Sequence, residues 1–202
     1  GTFMLKDIWP GTGNGILDYF DYTAIVHDNL VYFRGNDSLH GVELWRTDGT
    51  PQGTYMVADL VNGTAGSAPG EFASVDSLLF FTGNTGSSLY RSDGTSQGTF
   101  SIAGFQIVRG LTGFNGKLYF SAGVNNTGEE LWRSNGTPGG TYLLKDLNGA
   151  VGASLPCNFH ATTNALYFTA NTSSGWELWK TDGSNSGTVQ VADINPGPAN
   201  GV

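Results

Sequence analysis

Short runs of consecutive apolar residues recur along this chain at nearly constant intervals. Each run is a triplet bounded by polar or turn-forming residues; the four copies are Val31-Tyr32-Phe33, Leu79-Phe80-Phe81, Leu118-Tyr119-Phe120 and Leu166-Tyr167-Phe168. Apolar residues that follow one another without alternation indicate strands that are covered on both faces. No segment shows the periodicity of a long amphipathic helix. The pattern therefore predicts an all-β protein whose sheets are packed between neighbouring sheets.

A longer motif follows each triplet. It reads Glu-Leu-Trp-Arg-Thr-Asp-Gly-Thr at 43–50 and returns in modified form at 88–95, 130–137 and 177–184, with steps of 45, 42 and 47 residues between its leucines. A period of this size, carried by short strands and glycine turns, is typical of β-propellers. We therefore predict a β-propeller segment with four consecutive four-stranded antiparallel blades. It forms one domain, 1–202, with repeats near 17–60, 61–105, 106–147 and 148–194.

The strands of the last repeat illustrate the prediction. They are expected around Cys157–Thr162, Leu166–Ala170, Trp176–Lys180 and Thr188–Ile194. In every repeat the fourth strand opens with Gly-Thr, and the same dipeptide begins the chain. Because the first sixteen residues align without a gap with the last sixteen, residues 1–8 are predicted to be a surplus fourth strand.

The surplus strand has no partner in the predicted blades. If Trp132 lies opposite Leu143, Glu130 is expected to form a cross-strand ion pair with Lys145. Lys6 is the equivalent of Lys145, and its own third-strand partner would precede Gly1. Two interpretations stay open: the chain is cut from a larger propeller or array, or the strand is donated to a neighbouring molecule by addition to a sheet edge. The second would make the N-terminal strand a route to self-assembly.

The Asp-Gly element of the motif has a structural explanation. Asp or Asn followed by Gly suits the positive φ that hairpin turns require, and the hydroxyl before it can accept from turn amides. The motif aromatics, Trp45, Tyr90, Trp132 and Trp179, occupy one fixed place per repeat and are expected in the core. Trp9 and Trp176 break the repeat, and we select these two as the candidate ligand contacts.

Charge excludes some classes of partner. The net charge is −8 with nine basic residues and no basic stripe, so nucleic-acid binding is not expected. No apolar run is long enough to span a bilayer, so membrane insertion is not expected either. The single Cys157 cannot form an internal disulfide and is interpreted as a small buried apolar residue.

Metal and catalytic signals are weak. The predicted fourth strands end at Asp7, Asp59, Asp146 and Asp193, where a carboxylate beside a carbonyl-rich loop could join a calcium site. Gly104 replaces this Asp in the second repeat. The histidines have no metal-ligand spacing, no nucleophile motif occurs, and His27 is expected on the surface. Carboxylates such as Asp18, Asp21 and Glu71 could still converge for glycoside cleavage.

Five sequons are present, at Asn36, Asn62, Asn125, Asn135 and Asn171. They predict glycosylation only in a secreted protein from an organism with that machinery.

The recurring Glu-Leu-Trp-x-x-Asp-Gly-Thr, followed by Gly-Thr and a strand ending in Lys/Ala-Asp-Ile/Leu, resembles the ELWxxDGT-repeat proteins, over essentially the whole chain. The second repeat departs most, with Ser88, Tyr90 and Gly104 at motif positions. The resemblance implies a bacterial, extracellular or cell-surface β-propeller with an adhesive, surface or matrix role.

The expected function is a non-catalytic extracellular module that binds a glycan or cell-surface partner, or builds a surface assembly. The alternative is a glycan-active hydrolase or lyase on a propeller scaffold. No cofactor other than the weakly indicated calcium is expected. Connections after the second and fourth strands are long and variable in composition, so ligands are expected on that side.

Overall fold

The computed structural model describes residues 1–16, 24–124, 128–149, 152–198 and 200–202. It is all-β, with four four-stranded antiparallel sheets that each follow chain order. The strands are β1 Ala24–His27, β2 Leu30–Asn36, β3 Val42–Thr47, β4 Tyr55–Ala58, β5 Phe72–Val75, β6 Leu78–Gly83, β7 Ser88–Ser92, β8 Phe100–Gly104, β9 Ile107–Phe114, β10 Lys117–Gly123, β11 Glu129–Ser134, β12 Tyr142–Lys145, β13 Cys157–Ala161, β14 Leu166–Thr172, β15 Gly175–Thr181 and β16 Val189–Gln190. The described residues contain no α-helix, only 3-10 turns such as Asn84–Gly86 and Pro138–Gly140.

The chain divides into two compact units, Gly1–Ser101 and Ile102–Val202, which we describe separately. We call β1–β4 the first sheet, β5–β8 the second, β9–β12 the third and β13–β16 the fourth. The first unit holds the first sheet and most of the second, because the boundary falls within β8. The second unit holds the third and fourth sheets.

The apolar triplets form the centre of the sheets, as predicted. Leu79, Phe80 and Phe81 are at most 1% exposed, and the triplet at 118–120 is equally buried. In the first unit the core joins residues of the first and second sheets, among them Tyr32, Leu44 and Phe81. In the second unit it joins residues of the third and fourth sheets. Burial on both faces explains the absence of polar alternation in these strands.

Three of the four motif aromatics are buried in the core, as that interpretation predicted. Trp45, Tyr90 and Trp179 are 6%, 6% and 9% exposed. Trp132 is half-buried and makes an edge-to-face contact with Phe105, with ring centroids 5.1 Å apart. Large rings at one place per repeat fill the space between sheets.

The predicted ion pair between Glu130 and Lys145 is wrong. Trp132 does lie opposite Leu143, but the register then shifts by one residue, so that Lys145 pairs with Leu131. The extra residue, Leu144, is 4% exposed and turns into the core. Lys145 Nζ instead donates to the carbonyls of Thr188, at 2.7 Å, and Asn185, at 3.3 Å. The shift is a β-bulge, which re-aims the side chains that follow it.

Residues 1–8 form no strand in the structure, in contrast to the predicted surplus strand. A strand requires a partner for its backbone groups, and no other described strand pairs with this segment. The segment nevertheless lies beside the first sheet, where Lys6 Nζ donates to the Thr54 carbonyl at 2.5 Å. This contact matches the one from Lys145 to Thr188, since Lys6 and Lys145, and Thr54 and Thr188, occupy equivalent repeat positions.

His27 is 3% exposed, so its predicted surface position is wrong. Its Nδ1 lies 2.7 Å from Ser74 Oγ on β5, and its ring centroid lies 5.9 Å from that of Tyr32. A hydrogen-bonded partner on the second sheet makes burial of the imidazole acceptable.

Candidate functional site

Each sheet has two chemically different ends. The turn end carries the connections after the first and third strands, including the Asp-Gly turns at 48–49, 93–94, 135–136 and 182–183. The loop end carries the connections after the second and fourth strands. The turn end has the more regular sequence of the two.

Every Asp-Gly turn contains the same hydrogen-bond network. In the first sheet, Asp48 Oδ1 accepts from the amide and the hydroxyl of Thr50, at 2.8 and 2.7 Å. Thr47 Oγ1 accepts from the Gly49 amide and lies 2.7 Å from Thr54 Oγ1. Equivalent bonds surround Asp93, Asn135 and Asp182. The glycines have φ between +84° and +98°. These side chains are committed to closing the turn, as the sequence predicted.

The turn carboxylates predict a specific acid dependence. The hydrogen bonds from Ser184 hold the pKa of Asp182 below its usual range. A depressed folded-state pKa adds stability above the unfolded value of about 3.9, and that stability is lost as the pH falls through the folded value. Because Asn135 makes the same bonds as a neutral amide, Asp182→Asn should lose less stability than the wild type between about pH 5 and pH 2. Urea unfolding across this range measures the effect.

Asn135→Asp is the matched control, because it places the carboxylate in the corresponding turn of the third sheet. It should gain the acid dependence that Asp182→Asn loses. Equal slopes of stability against pH in all three proteins would contradict the role assigned to these bonds.

At the loop end, the motif glutamates are buried acceptors for the loop that follows the fourth strand. Glu130 is 1% exposed, and its carboxylate accepts from the amides of Leu147 and Ser154, both at 2.9 Å, and from Ser154 Oγ at 2.5 Å. Glu43 repeats this arrangement with the Val61 amide, the Ser67 amide and the Ser67 hydroxyl. The motif glutamate therefore anchors a loop, a function that the sequence analysis missed.

Burial raises the pKa of the Glu43 and Glu130 carboxyls, while the serine and amide bonds act in the opposite direction. The signal that could have revealed the anchor is a serine placed eight residues after the fourth-strand aspartate, as Ser67 and Ser154 are after Asp59 and Asp146. The second repeat lacks the glutamate and the aspartate together, with Ser88 and Gly104 in their places.

The fourth sheet has an incomplete anchor. Glu177 is fully buried, and its Oε2 accepts from the Ile194 amide at 3.1 Å. Gly201 stands at the position of Ser67 and Ser154, and Glu177 Oε1 has no hydrogen-bond partner among the described residues. A Cβ at Gly201 would contact both carboxylate oxygens, so the glycine lets the backbone approach where the serine hydroxyl stands in other repeats.

The two candidate ligand contacts, Trp9 and Trp176, are half-buried and lie in different units. The Trp9 ring packs over Gly13, where a Cβ would clash with it. Trp176, on β15, lies opposite Asn171 on β14. Its amide donates to Asn200 Oδ1 at 3.1 Å, and its carbonyl accepts from the Gly201 amide at 3.0 Å. Both residues are more exposed than Trp45 and Trp179, as Trp132 also is.

The candidate calcium ligands Asp7, Asp59, Asp146 and Asp193 are exposed at or just beyond the fourth-strand positions. Within the described ranges, no three His, Cys, Asp or Glu side chains form a group that could hold a metal ion. The carboxylates Asp18 and Asp21 lie outside the described residues. The half-buried Cys157 places its Sγ 3.2 Å from Thr169 Oγ1.

The sequons differ in exposure. Asn62 is exposed, Asn36 and Asn171 are half-buried, and Asn125 lies outside the described residues. Asn135 is exposed, but its side-chain oxygen is engaged in the turn. Because Asn171 lies opposite Trp176, a glycan there would stand beside the candidate contact.

The sheets resemble those of solved β-propeller structures. A Pyrococcus horikoshii acylaminoacyl peptidase matches with a TM-score of 0.55 and 16% identity, over 86% of this chain and 27% of that chain. A puromycin hydrolase matches with a TM-score of 0.50 and 14% identity, over 83% and 28%. A putative 6-phosphogluconolactonase from Bacteroides fragilis has a TM-score of 0.50 and 10% identity, over 85% and 53%.

At such identities the likeness concerns the fold alone. The chain spans from about a quarter to about half of the length of these structures. No protein-family model and no curated protein matches the sequence. No helix in the described part of the chain is both long and apolar enough to cross a membrane.

Proposed function

We propose that the chain is a non-catalytic, extracellular β-propeller segment that binds a glycan or a cell-surface partner through the loop ends of its sheets. The observation that carries this proposal is the chemical difference between the two ends. At the turn ends the polar side chains are consumed by one repeated network, whereas the loop ends carry the off-pattern aromatics Trp9 and Trp176.

The loop ends are also firmly held, which suits them for recognition. Glu43 and Glu130 fix the loops that follow the fourth strands of their sheets. The Ser67 and Ser154 carbonyls accept from the amides of Asn84 and Asn171, both at 2.7 Å, which ties each loop to the next sheet of its unit. Variable residues on loops held by a rigid scaffold are the usual location of binding sites. Tryptophan there offers a large apolar face together with a polar N–H.

Replacement of the two aromatics tests the proposal. Trp9→Ala and Trp176→Ala are each expected to weaken binding of the ligand found by a glycan and cell-adhesion screen, by about tenfold where that ring is the anchor. Affinity is measured by titration calorimetry, with circular dichroism to verify folding. Gln52→Ala and Gln97→Ala, at exposed positions of the turn ends, are the matched controls and should bind normally. If both tryptophan variants still bind the ligand and the glutamine variants do not, the binding site lies at the turn ends and the proposal is wrong.

The alternative is a glycan-active hydrolase or lyase. Two of the similar structures are a hydrolase and a peptidase, and this is compatible with the alternative and with a non-catalytic module alike. One acid–base pair exists at the loop end of the first sheet, where His40 Nδ1 lies 2.7 Å from Asp37 Oδ2. This contact raises the pKa of His40. Release of reducing ends from a polysaccharide panel, abolished by His40→Ala, would establish the alternative.

A further inference from the structure

Inside each unit, one sheet receives the Asp-Gly turn of the next. Arg46 Nη1 on β3 donates to the Gly94 carbonyl at 3.2 Å, and Arg133 Nη1 on β11 donates to the Gly183 carbonyl at 2.7 Å. The hydroxyl of Tyr32 lies 2.7 Å from where a Cβ on Gly94 would stand, and Tyr119 approaches Gly183 in the same way. We call the tyrosine and the basic residue the socket and the received Asp-Gly turn the plug.

Among the described residues of the first unit, no socket receives the plug of the first sheet, which is the Asp48-Gly49 turn. Gly49 is exposed and a Cβ on it would meet nothing within 4 Å, whereas Gly94 and Gly183 are buried. Beside this turn, a groove of about 630 Å³ separates residues 4–8 from the face of the first sheet. Its walls include Met4, Ala24, Val31 and Phe33.

The fourth sheet carries a socket that no Asp-Gly turn enters in the described part of the second unit. Tyr167 and Lys180 stand at the positions of Tyr119 and Arg133. Tyr167 is half-exposed, although Tyr119 is 1% exposed, and Lys180 is exposed. A cavity of about 320 Å³ lies beside Lys180 and Val189. The fourth strand of this sheet, β16, is reduced to two residues.

Residues 1–8 already occupy the place of a preceding sheet's fourth strand. The bond from Lys6 to the Thr54 carbonyl reproduces the bond from Lys145 on β12 to Thr188. Phe3 is the equivalent of Tyr142, over whose ring the Arg133 guanidinium lies at 5.4 Å. Phe3 itself is 79% exposed. The described residues of the first unit supply no neighbour on this side, and the one that fits is a sheet of this repeat type, with a basic residue that faces Phe3 and reaches the Gly49 carbonyl.

We propose that the fourth sheet of a second copy of this chain docks head-to-tail on the first sheet, with residues 2–8 replacing β16 as the fourth strand on β15 of that copy. Lys180 of one copy then donates to the Gly49 carbonyl of the other, and Val31 and Phe33 are covered. The fourth sheet of a second copy is assigned as the occupant because both units contain the same contact, in which one sheet receives the Asp-Gly turn of the next. Such a heterologous contact builds a ring or an open filament. The proposed head-to-tail contact does not depend on the ligand bound at the loop ends.

A cysteine pair tests the strand exchange directly. In the third sheet Arg133 lies opposite Tyr142, and in the first sheet Arg46 lies opposite Tyr55. Phe3 of one copy should therefore face Lys180 of another. In a Cys157→Ser background, Phe3→Cys with Lys180→Cys should give covalent dimers and higher species on oxidation, seen by non-reducing electrophoresis. Phe3→Cys with Lys117→Cys, on β10, is the control pair and should remain largely monomeric.

The other outcomes overturn the proposal. A disulfide within one chain would show that residues 2–8 complete their own fourth sheet. No disulfide, or equal cross-linking by the control pair, would show that the two positions do not meet.

Sedimentation equilibrium supplies a readout without cysteines. The wild type should associate as concentration rises, and Lys180→Glu should weaken association by about tenfold, because a carboxylate cannot donate to the Gly49 carbonyl. Lys117→Glu has the same charge change and should associate like the wild type. A wild type that stays monomeric at every concentration, or equal weakening by both variants, contradicts the contact.

Discussion

Glu130→Ala is expected to lower the free energy of unfolding by about 3 kcal/mol, because it removes three hydrogen bonds to a buried carboxylate. The donors are the Leu147 amide, the Ser154 amide and the Ser154 hydroxyl. Each bond to the charged carboxylate is worth about 1.5 to 3 kcal/mol. Removal of the costly buried carboxylate offsets part of that loss, and so does the Glu129 carbonyl, which still accepts from the Ser154 amide at 2.9 Å and from the Ser154 hydroxyl at 3.4 Å. Urea unfolding followed by tryptophan fluorescence measures the change.

Glu177→Ala is the matched control, in the same unit and at the same motif position. Glu177 accepts from the Ile194 amide and has Gly201 in place of the serine. Its replacement should cost only about 1 kcal/mol, the usual net worth of one such bond. Ser154→Ala should recover part of the Glu130→Ala loss in the double variant, since it removes a buried hydroxyl that would keep only the long 3.4 Å bond to the Glu129 carbonyl. Equal losses for Glu130→Ala and Glu177→Ala would refute the anchoring function.

The strand order was predictable because two independent signals agree in every repeat. Apolar triplets such as 118–120 require burial on both faces, and the Asp-Gly turns fix where the chain reverses. In the last repeat the first three strands lie within two residues of their predicted bounds. The fourth is shorter, because only Val189 and Gln190 pair with β15.

The partner of the motif glutamate was not predictable from strand alternation. Alternation places Glu130 opposite Lys145, but the one-residue shift at Leu144 turns Lys145 toward the next sheet. The same shift occurs in the first sheet, where Trp45 pairs with Met56 and Leu44 with Ala58. Sequence alone does not mark this shift, since Leu144 and Val57 suit either face. The carboxylate accepts from two loop amides, which carry no side-chain signal, and from the Ser154 hydroxyl, whose spacing from Asp146 is the sequence signal of this contact.

The surroundings of the candidate ligand contacts were also not predictable from the sequence. Trp9 and Trp176 were selected because they break the repeat, and both remain partly in solvent. The contacts that hold them, Gly13 beneath the Trp9 ring and Asn200 at the Trp176 amide, come from irregular loops. Position within a repeat thus indicated which aromatics differ from the core set, whereas their surroundings had to come from the structure.

Gly94→Ala is expected to lower the free energy of unfolding by about 3 kcal/mol, because it combines backbone strain with a steric clash. Gly94 has φ +84°, a conformation that L side chains rarely adopt. The new methyl group would lie 2.7 Å from the Tyr32 hydroxyl and 3.3 Å from Arg46 Nη1, in a buried plug. The measurement is urea unfolding at a protein concentration low enough to keep the chain monomeric.

Gly49→Ala separates the two causes, because Gly49 has φ +90° and open space around it. It should carry the backbone strain alone, about 1 kcal/mol. Tyr32→Phe removes the atom that clashes, so it should restore part of the difference in combination with Gly94→Ala and none in combination with Gly49→Ala. Equal losses for Gly94→Ala and Gly49→Ala would mean that Tyr32 and Arg46 do not pack closely against the Gly94 turn. At high concentration the Gly49→Ala loss should grow, because the head-to-tail contact would bury that turn as well.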